Sequence, residues 1–223
     1  MENLINKENK IFETLEELTK NNLEFIMVGG YAVSSYKHRF SIDADIVIQK
    51  KDLKYFENFL LKKEFKETYN KKLKNIYGSE FKRFENNDLT IDLMIGALAS
   101  RQTDASFSYE FLKKHSSKRK IIGIEKEISV LIPRKEILII TKLHSARLTD
   151  FRDIAALAKN SDVEFIQKFL FRGNVSIVER NLSKLNQTVN EKNFVDSFKG
   201  VFIEKKFDVD LAKVKEISLL INR

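Results

Sequence analysis

The 223-residue sequence predicts an α/β (α+β) protein, with strands and helices intermixed over residues 1–132 and an all-helical region over 133–223. Three observations predict this. Short apolar runs, rich in Ile and Val and bounded by turn residues, have the length of strands. Between them, apolar residues recur three and four positions apart, the period of a helix. After Pro133, the only proline, no run reads as a strand and helical spacing continues to the end.

Residues 3–20 are expected to form an amphipathic helix with Leu4, Ile11, Leu15 and Leu18 on one face, ended by Asn21-Asn22. Residues 23–28 read as a buried strand that stops at Gly29-Gly30, and a helix follows over 31–37. A second strand is expected over 43–49, then a helix over 51–63 with Leu53, Phe56, Phe59 and Leu60 inward. Strands over 80–85 and 89–95 flank the turn Asn86-Asn87-Asp88 as a hairpin. A short helix over 109–114 and short strands over 120–125 and 127–132 complete the first region. Pro133 stands where a helix over 135–148 begins, a position suited to a residue without an N–H. Helices are then expected near 150–159, 162–172, 174–187, 191–203 and 208–221, which divides the chain into domains 1–132 and 133–223.

Composition narrows the function classes. Hydrophobic residues at 43% and charged residues at 32% belong to a globular chain. The absence of cysteine excludes disulfides and thiolate metal sites, and three scattered histidines are too few for a zinc centre. The polar start MENLINKENK lacks the apolar segment of a secretory signal, and no apolar run approaches the ~20 residues of a membrane span. A cytoplasmic protein with no membrane partner is expected. The net charge of +8 is uneven: residues 1–100 hold 16 basic and 16 acidic groups, and residues 101–223 hold 24 and 16. Such a split suits either a polyanion contact after residue 100 or a lysine-rich solubilising surface.

The chemistry is concentrated in three acids. Asp43 and Asp45 are two apart on a predicted strand and so face the same side. Asp92 lies between Ile91 and Leu93, where a carboxylate is costly to bury without a partner. A divalent cation would satisfy all three, and Mg²⁺ favours such oxygen ligands. Without a metal, Asp92 would find its partner in Arg83 or Lys82 across the hairpin. Gly29-Gly30, between strand and helix, reads either as a tight turn or as a place where phosphate oxygens approach backbone N–H groups.

Taken in order, Val28-Gly29-Gly30, Asp43-Ala44-Asp45 and Ile91-Asp92-Leu93 resemble the nucleotidyltransferase superfamily, the fold of DNA polymerase β. A second resemblance, of Lys142, Ala146-Arg147, Asp150 and Arg152-Asp153-Ile154, is to AbiEii and MenT-type toxin nucleotidyltransferases. The first implies a nucleotidyltransferase core with a small mixed β-sheet flanked by helices. It also implies transfer of NMP from an NTP to an acceptor hydroxyl with release of pyrophosphate. Asp43, Asp45 and Asp92 would hold Mg²⁺ or Mn²⁺, and Gly29, Gly30, Arg39 and Ser41 would serve the NTP phosphates or brace the acid strand. The second resemblance implies that Lys142 and Asp153, with Asp150 as a rival for the acid, complete the site. It also implies a toxin–antitoxin setting, with tRNA as acceptor and a cognate antitoxin as partner. The cluster Lys113, Lys114, Lys118, Arg119 and Lys120 would follow a nucleic-acid backbone, or form a solvated helix end. The alternatives are a small-molecule acceptor of the lincosamide or aminoglycoside kind, AMPylation of a protein, and an NTP- or RNA-binding module without turnover.

Overall fold

The computed structural model describes residues 2–41, 43–72, 80–199, 201–202 and 208–221. The chain divides into two compact units, residues 1–98 with 107–133, and residues 99–106 with 134–223.

The first unit opens with helix α1 (Glu2–Lys20), which lies on the sheet at β5 and β9, introduced below. Its buried face is Ile11, Phe12, Leu15 and Leu18, spaced three and four apart. Leu4, expected on that face, is 38% exposed, because the first turns of α1 run past the edge of the core. Strand β1 (Ile26–Val28) is shorter than the apolar run suggests, and α2 (Gly29–Ser34) starts at the glycines themselves rather than at Tyr31. Strand β2 (Asp43–Ile48) leads through a 3₁₀ turn at Lys50–Asp52 into α3 (Leu53–Lys62), which buries Phe56 and Leu60.

Strands β3 (Lys66–Lys72), β4 (Glu80–Asn86) and β5 (Leu89–Ile95) follow. The β4–β5 hairpin is in the expected register, with Asn86 opposite Leu89. Strand β3 carries no apolar alternation in KETYNKK, so it is invisible to pattern reading. It forms because β4 offers it a row of backbone partners, and its lysines suit a sheet edge, where charge discourages further pairing. Two short strands, β6 (Ala97–Ala99) and β7 (Ser106–Ser108), pair with each other where the chain leaves and re-enters the unit. Helix α4 (Tyr109–Lys114) precedes β8 (Ser116–Ile122) and β9 (Glu127–Pro133). Pro133 thus stands, as expected, where a strand ends just ahead of the helix that starts at Lys135, and its carbonyl accepts from the Tyr36 hydroxyl at 3.0 Å.

The seven-stranded sheet has the order β3-β4-β5-β2-β1-β9-β8. It is mixed: β2 runs parallel to β5 and β1 parallel to β9, while the other neighbours are antiparallel. The two central strands, β2 and β5, are buried along their apolar residues and carry the three candidate acids.

In the second unit, α5 (Lys135–Ser145) is apolar over most of its circumference and packs against α6 (Leu148–Ala158), α7 (Val163–Leu170) and α8 (Val175–Val189). Burial on several sides explains its lack of a polar face. Ala146, at φ +46°, ends α5 and turns the chain into α6. The helix expected over 191–203 reduces to a 3₁₀ turn at Val195–Phe198, with the rings of Phe194, Phe198 and Phe202 packed at 5.4 and 5.3 Å; residues 200 and 203 lie outside the described residues. Helix α9 (Leu211–Ser218) closes the unit. Among the described residues, no helix is long and apolar enough to cross a membrane.

The two ends of α1 differ in what they bury, and this sets an expected outcome. Leu15→Ala should cost about 2–5 kcal/mol of unfolding free energy, and Leu4→Ala about 0.5 kcal/mol or less, measured by urea denaturation.

Candidate active site

The passage from β1 into α2 fits closely over the acid strand. Val28 is paired with Asp45 across the antiparallel β1–β2 ladder, and the next residue, Gly29, adopts φ +64°. A Cβ on Gly29 would sit 1.9 Å from Asp45 Oδ2, so glycine is needed for the backbone angle and for the carboxylate's space. At Gly30 a Cβ would meet Ser41 Oγ at 2.4 Å and Arg39 Nη2 at 3.3 Å. Ser41 Oγ donates to the Asp43 carbonyl at 3.4 Å and Arg39 Nε to the Phe40 carbonyl at 3.2 Å, so both residues brace the entry to β2. Ile42 lies outside the described residues.

Asp43 and Asp45 share one face of β2 through the two-residue repeat of a strand. The parallel register sets Asp45 directly opposite Asp92, and Asp43 opposite Thr90. All three acids therefore lie on one face of the sheet. Asp92 is 5% exposed and is gripped by Arg83, Nε to Oδ1 and Nη2 to Oδ2, both at 2.7 Å. Arg83 occupies the position opposite Asp92 on β4, as the hairpin register requires. Lys82, the other expected partner, points to the other face and pairs with Glu57 at 2.6 Å and Glu67 at 2.9 Å. Partial burial raises the Asp43 carboxyl above the usual carboxylate range and the Asp92 charge raises it further, against Arg83 and a hydrogen bond with Thr90. The bond to Asp92 holds the Arg83 guanidinium yet more firmly protonated.

The donor set fits a hard divalent cation. It consists of carboxylate oxygens on one face, with mutual repulsion that a cation relieves and a glycine that leaves room for one of them. Among the described residues, no group of three or more acidic or histidine side chains is placed to hold a metal ion as the side chains stand, and both Asp92 oxygens are engaged by Arg83.

Lys142 and Asp153 belong to the helical unit. Lys142 Nζ lies 2.7 Å from Asp153 Oδ2 and 3.1 Å from Asp150 Oδ1, and both acid side chains are fully buried. The choice between Asp150 and Asp153 that the sequence leaves open ends with both on the same lysine. Asp150 also caps α6. It accepts from the Arg147 backbone N–H at 3.0 Å, from Arg147 Nε at 2.8 Å and Nη2 at 3.2 Å, and from Ser145 Oγ at 2.7 Å. Burial pushes the Asp150 carboxyl up, but the Arg147 hydrogen bonds, the Lys142 charge and Ser145 outweigh it and hold the pKa at about 2. The helix-capping role is readable as Arg147-x-x-Asp150; the link from Ser145 is not, because it depends on the turn at Ala146.

Three residues of the basic cluster have partners in the structure. Lys113 pairs with Glu24 at 2.6 Å, Lys120 pairs with Glu127, and the Arg119 guanidinium stacks 3.9 Å from the Tyr36 ring centre.

A pH test isolates Asp150. Its folded pKa lies below the unfolded value of ~3.9, so its contribution is complete above pH ~4 and is lost as pH falls towards 2. In urea denaturation from pH 5 to pH 2, wild type should lose on the order of 2 kcal/mol more than Asp150→Asn. Parallel pH profiles for the two proteins would contradict this account.

No protein-family model matches the chain, and no curated protein matches it in sequence. Solved structures match it in fold. A crystal structure of ANT(2'')-Ia in complex with adenylyl-2''-tobramycin aligns with a TM-score of 0.53 at 13% identity, over 79% of this chain and 97% of that one. A solution structure of the antibiotic-resistance factor ANT(2'')-Ia aligns with a TM-score of 0.54 at 14% identity, over 79% of this chain and 93% of that one. At this identity the likeness is one of fold: a mixed α/β sheet domain followed by a helical region, as in the nucleotidyltransferase ANT(2'')-Ia.

Proposed function

We propose that the protein is a nucleotidyltransferase that moves the nucleoside monophosphate of an NTP onto a hydroxyl of a small polyhydroxylated acceptor of the aminoglycoside kind. The observation that carries this reading is the set of three carboxylates on one sheet face, with Asp45 packed against Gly29, in a fold shared with ANT(2'')-Ia. In the reaction the acceptor oxygen bonds to the α-phosphorus, its hydroxyl proton passes to solvent, the bond from that phosphorus to the α–β bridging oxygen breaks, and pyrophosphate leaves.

Asp43, Asp45 and Asp92 are the residues that would hold Mg²⁺ or Mn²⁺. When bound, such an ion neutralises phosphate charge and lowers the pKa of an attacking hydroxyl. The chain itself supplies position. Gly29 leaves room for the Asp45 carboxylate and Gly30 for Ser41 and Arg39, which hold the entry to that strand. Asp92, set by register opposite Asp45, is fixed by Arg83 through both carboxylate oxygens. For Lys142 and Asp153 the contacts support a positioning role that joins α5 to α6, since the lysine charge is already shared by two buried acids.

The acceptor assignment follows the fold likeness and the state of the basic cluster. A tRNA acceptor would draw on Lys113, Lys114, Lys118, Arg119 and Lys120, of which Lys113, Arg119 and Lys120 are engaged by Glu24, the Tyr36 ring and Glu127. The AbiEii/MenT-type toxin role, with its antitoxin, becomes an outcome of the test.

Incubation with each α-labelled NTP, Mg²⁺ or Mn²⁺, and either an aminoglycoside and lincosamide panel or total tRNA tests the proposal. Label is expected on a small molecule, and Asp45→Asn should reduce it by at least about 100-fold while the protein stays folded. Label on tRNA alone would replace the acceptor assignment. Unaltered transfer by Asp45→Asn would remove the acid set from the reaction. Gly29→Ala is expected to mimic Asp45→Asn, because its methyl group displaces the Asp45 carboxylate; circular dichroism checks that the variant folds.

A further inference from the structure

Strand β9 has two unequal faces. Ile128, Val130 and Ile132 are buried, while Ser129 and Leu131, which alternate with them, are only half-buried. The antiparallel register sets Lys118 of β8 opposite Leu131, so Lys118, Ser129 and Leu131 share the half-covered face. A pocket of about 380 Å³ lies against these residues and is walled also by Leu23 and Phe25, from the connection between α1 and β1. We propose that this pocket binds a small monocarboxylate with an apolar chain or ring, its carboxylate held by Lys118 and Ser129. The pocket shares no residue with the acid face and stands independently of the reaction proposed there.

Charge decides the sign of the ligand. Glu24, the acid of the lining, accepts from Lys113 Nζ and from the Tyr109 hydroxyl, both at 2.6 Å, and the Lys51 charge adds to theirs. Lys120, two residues along β8, is paired with Glu127. Lys118 makes no hydrogen bond or ion pair among the described residues, and neither does the Ser129 hydroxyl. The lining therefore offers one cation without a counter-charge and one free hydroxyl donor. Ser129 is the diagonal cross-strand neighbour of Lys118, about 7–8 Å away and within reach of a long side chain. One carboxylate can accept from both, in charge-assisted hydrogen bonds. The body of the ligand is set by Leu23, Phe25 and Leu131, together with the lysine stem, which gain from covering by an apolar group. The volume lies at the lower end of the range for small-molecule sites, which limits the ligand to a short chain or a single ring. An amine would set like charge beside Lys118, and an alcohol would leave the lysine unpaired.

The test is a titration of the ¹⁵N-labelled full chain, followed by amide resonances, with octanoate as the probe and 1-octanol and octylammonium as its neutral and cationic counterparts. Octanoate should give saturable shifts at the amides of Leu23, Phe25, Lys118, Ser129 and Leu131. It should bind at least about fivefold more tightly than 1-octanol, and octylammonium should bind most weakly. Lys118→Met, which keeps an apolar stem, should weaken octanoate about fivefold and change 1-octanol by less than about twofold. Lys118→Arg should retain octanoate binding within about twofold, and Ser129→Ala should weaken it by a smaller factor than Lys118→Met. Lys118 is exposed, so its variants should keep the dispersed spectrum of the wild type, which the same experiment records. Equal affinity for octanoate and 1-octanol, or octanoate binding that Lys118→Met leaves unchanged, would overturn the carboxylate assignment. Saturable shifts confined to other residues, or none at millimolar octanoate, would overturn the site itself.

Discussion

The sheet unit is organised by one constraint, the parallel pairing of β2 with β5 that places Asp45 opposite Asp92. Acid opposite acid in the middle of a sheet is unfavourable, and the neighbouring structure answers it. Strand β4 delivers Arg83 to Asp92 in a forked contact, and the turn after β1 uses Gly29 at a positive φ so that Asp45 has room. The apolar neighbours of these acids, Ala44, Ile46, Ile91 and Leu93, are fully buried and hold both strands in place. A one-residue slip of β5 would move Asp92 to the other face and break this arrangement.

The helical unit meets the same problem of buried acids differently. Asp150 and Asp153 are fully buried, but here the compensating charge comes from a lysine on the preceding helix and from the cap of their own helix. Asp150 accepts from Arg147, Ser145 and Lys142 at once, which is why its carboxyl stays ionised far into acid despite burial. Removing one member of such a group leaves a buried charge uncompensated, so the set behaves as one structural element joining α5 to α6.

Net charge is a weaker guide than pairing. The +8 of the chain suggests an attraction for polyanions, yet the densest run of basic residues is divided among Glu24, Glu127 and the face of Tyr36. Pairing a cation with a neighbouring acid leaves the formal count unchanged while lowering the net local charge, although the pairs here are exposed and weak.

The sequence by itself determined the fold class, most helices, the β4–β5 hairpin and the placing of Asp43 and Asp45 on one face, because these depend on local periodicity and turn chemistry. It also held Arg83 as a partner for Asp92, since hairpin register follows from the position of the turn. Strand β3 was not readable, because a polar edge strand owes its structure to a neighbour's hydrogen bonds rather than to its own pattern. Neither was the early start of α2 at Gly29, nor the reduction of 191–203 to a single 3₁₀ turn, where aromatic packing takes the place of a continued helix. Only the tertiary structure decided that Asp92 faces Asp45, that Lys142 is held by two acids, and which members of the basic run are engaged. Asp92 and Asp45 are far apart in the chain, and the nearer pairs depend on the turn between α5 and α6 and on the β8–β9 register, which periodicity alone does not specify.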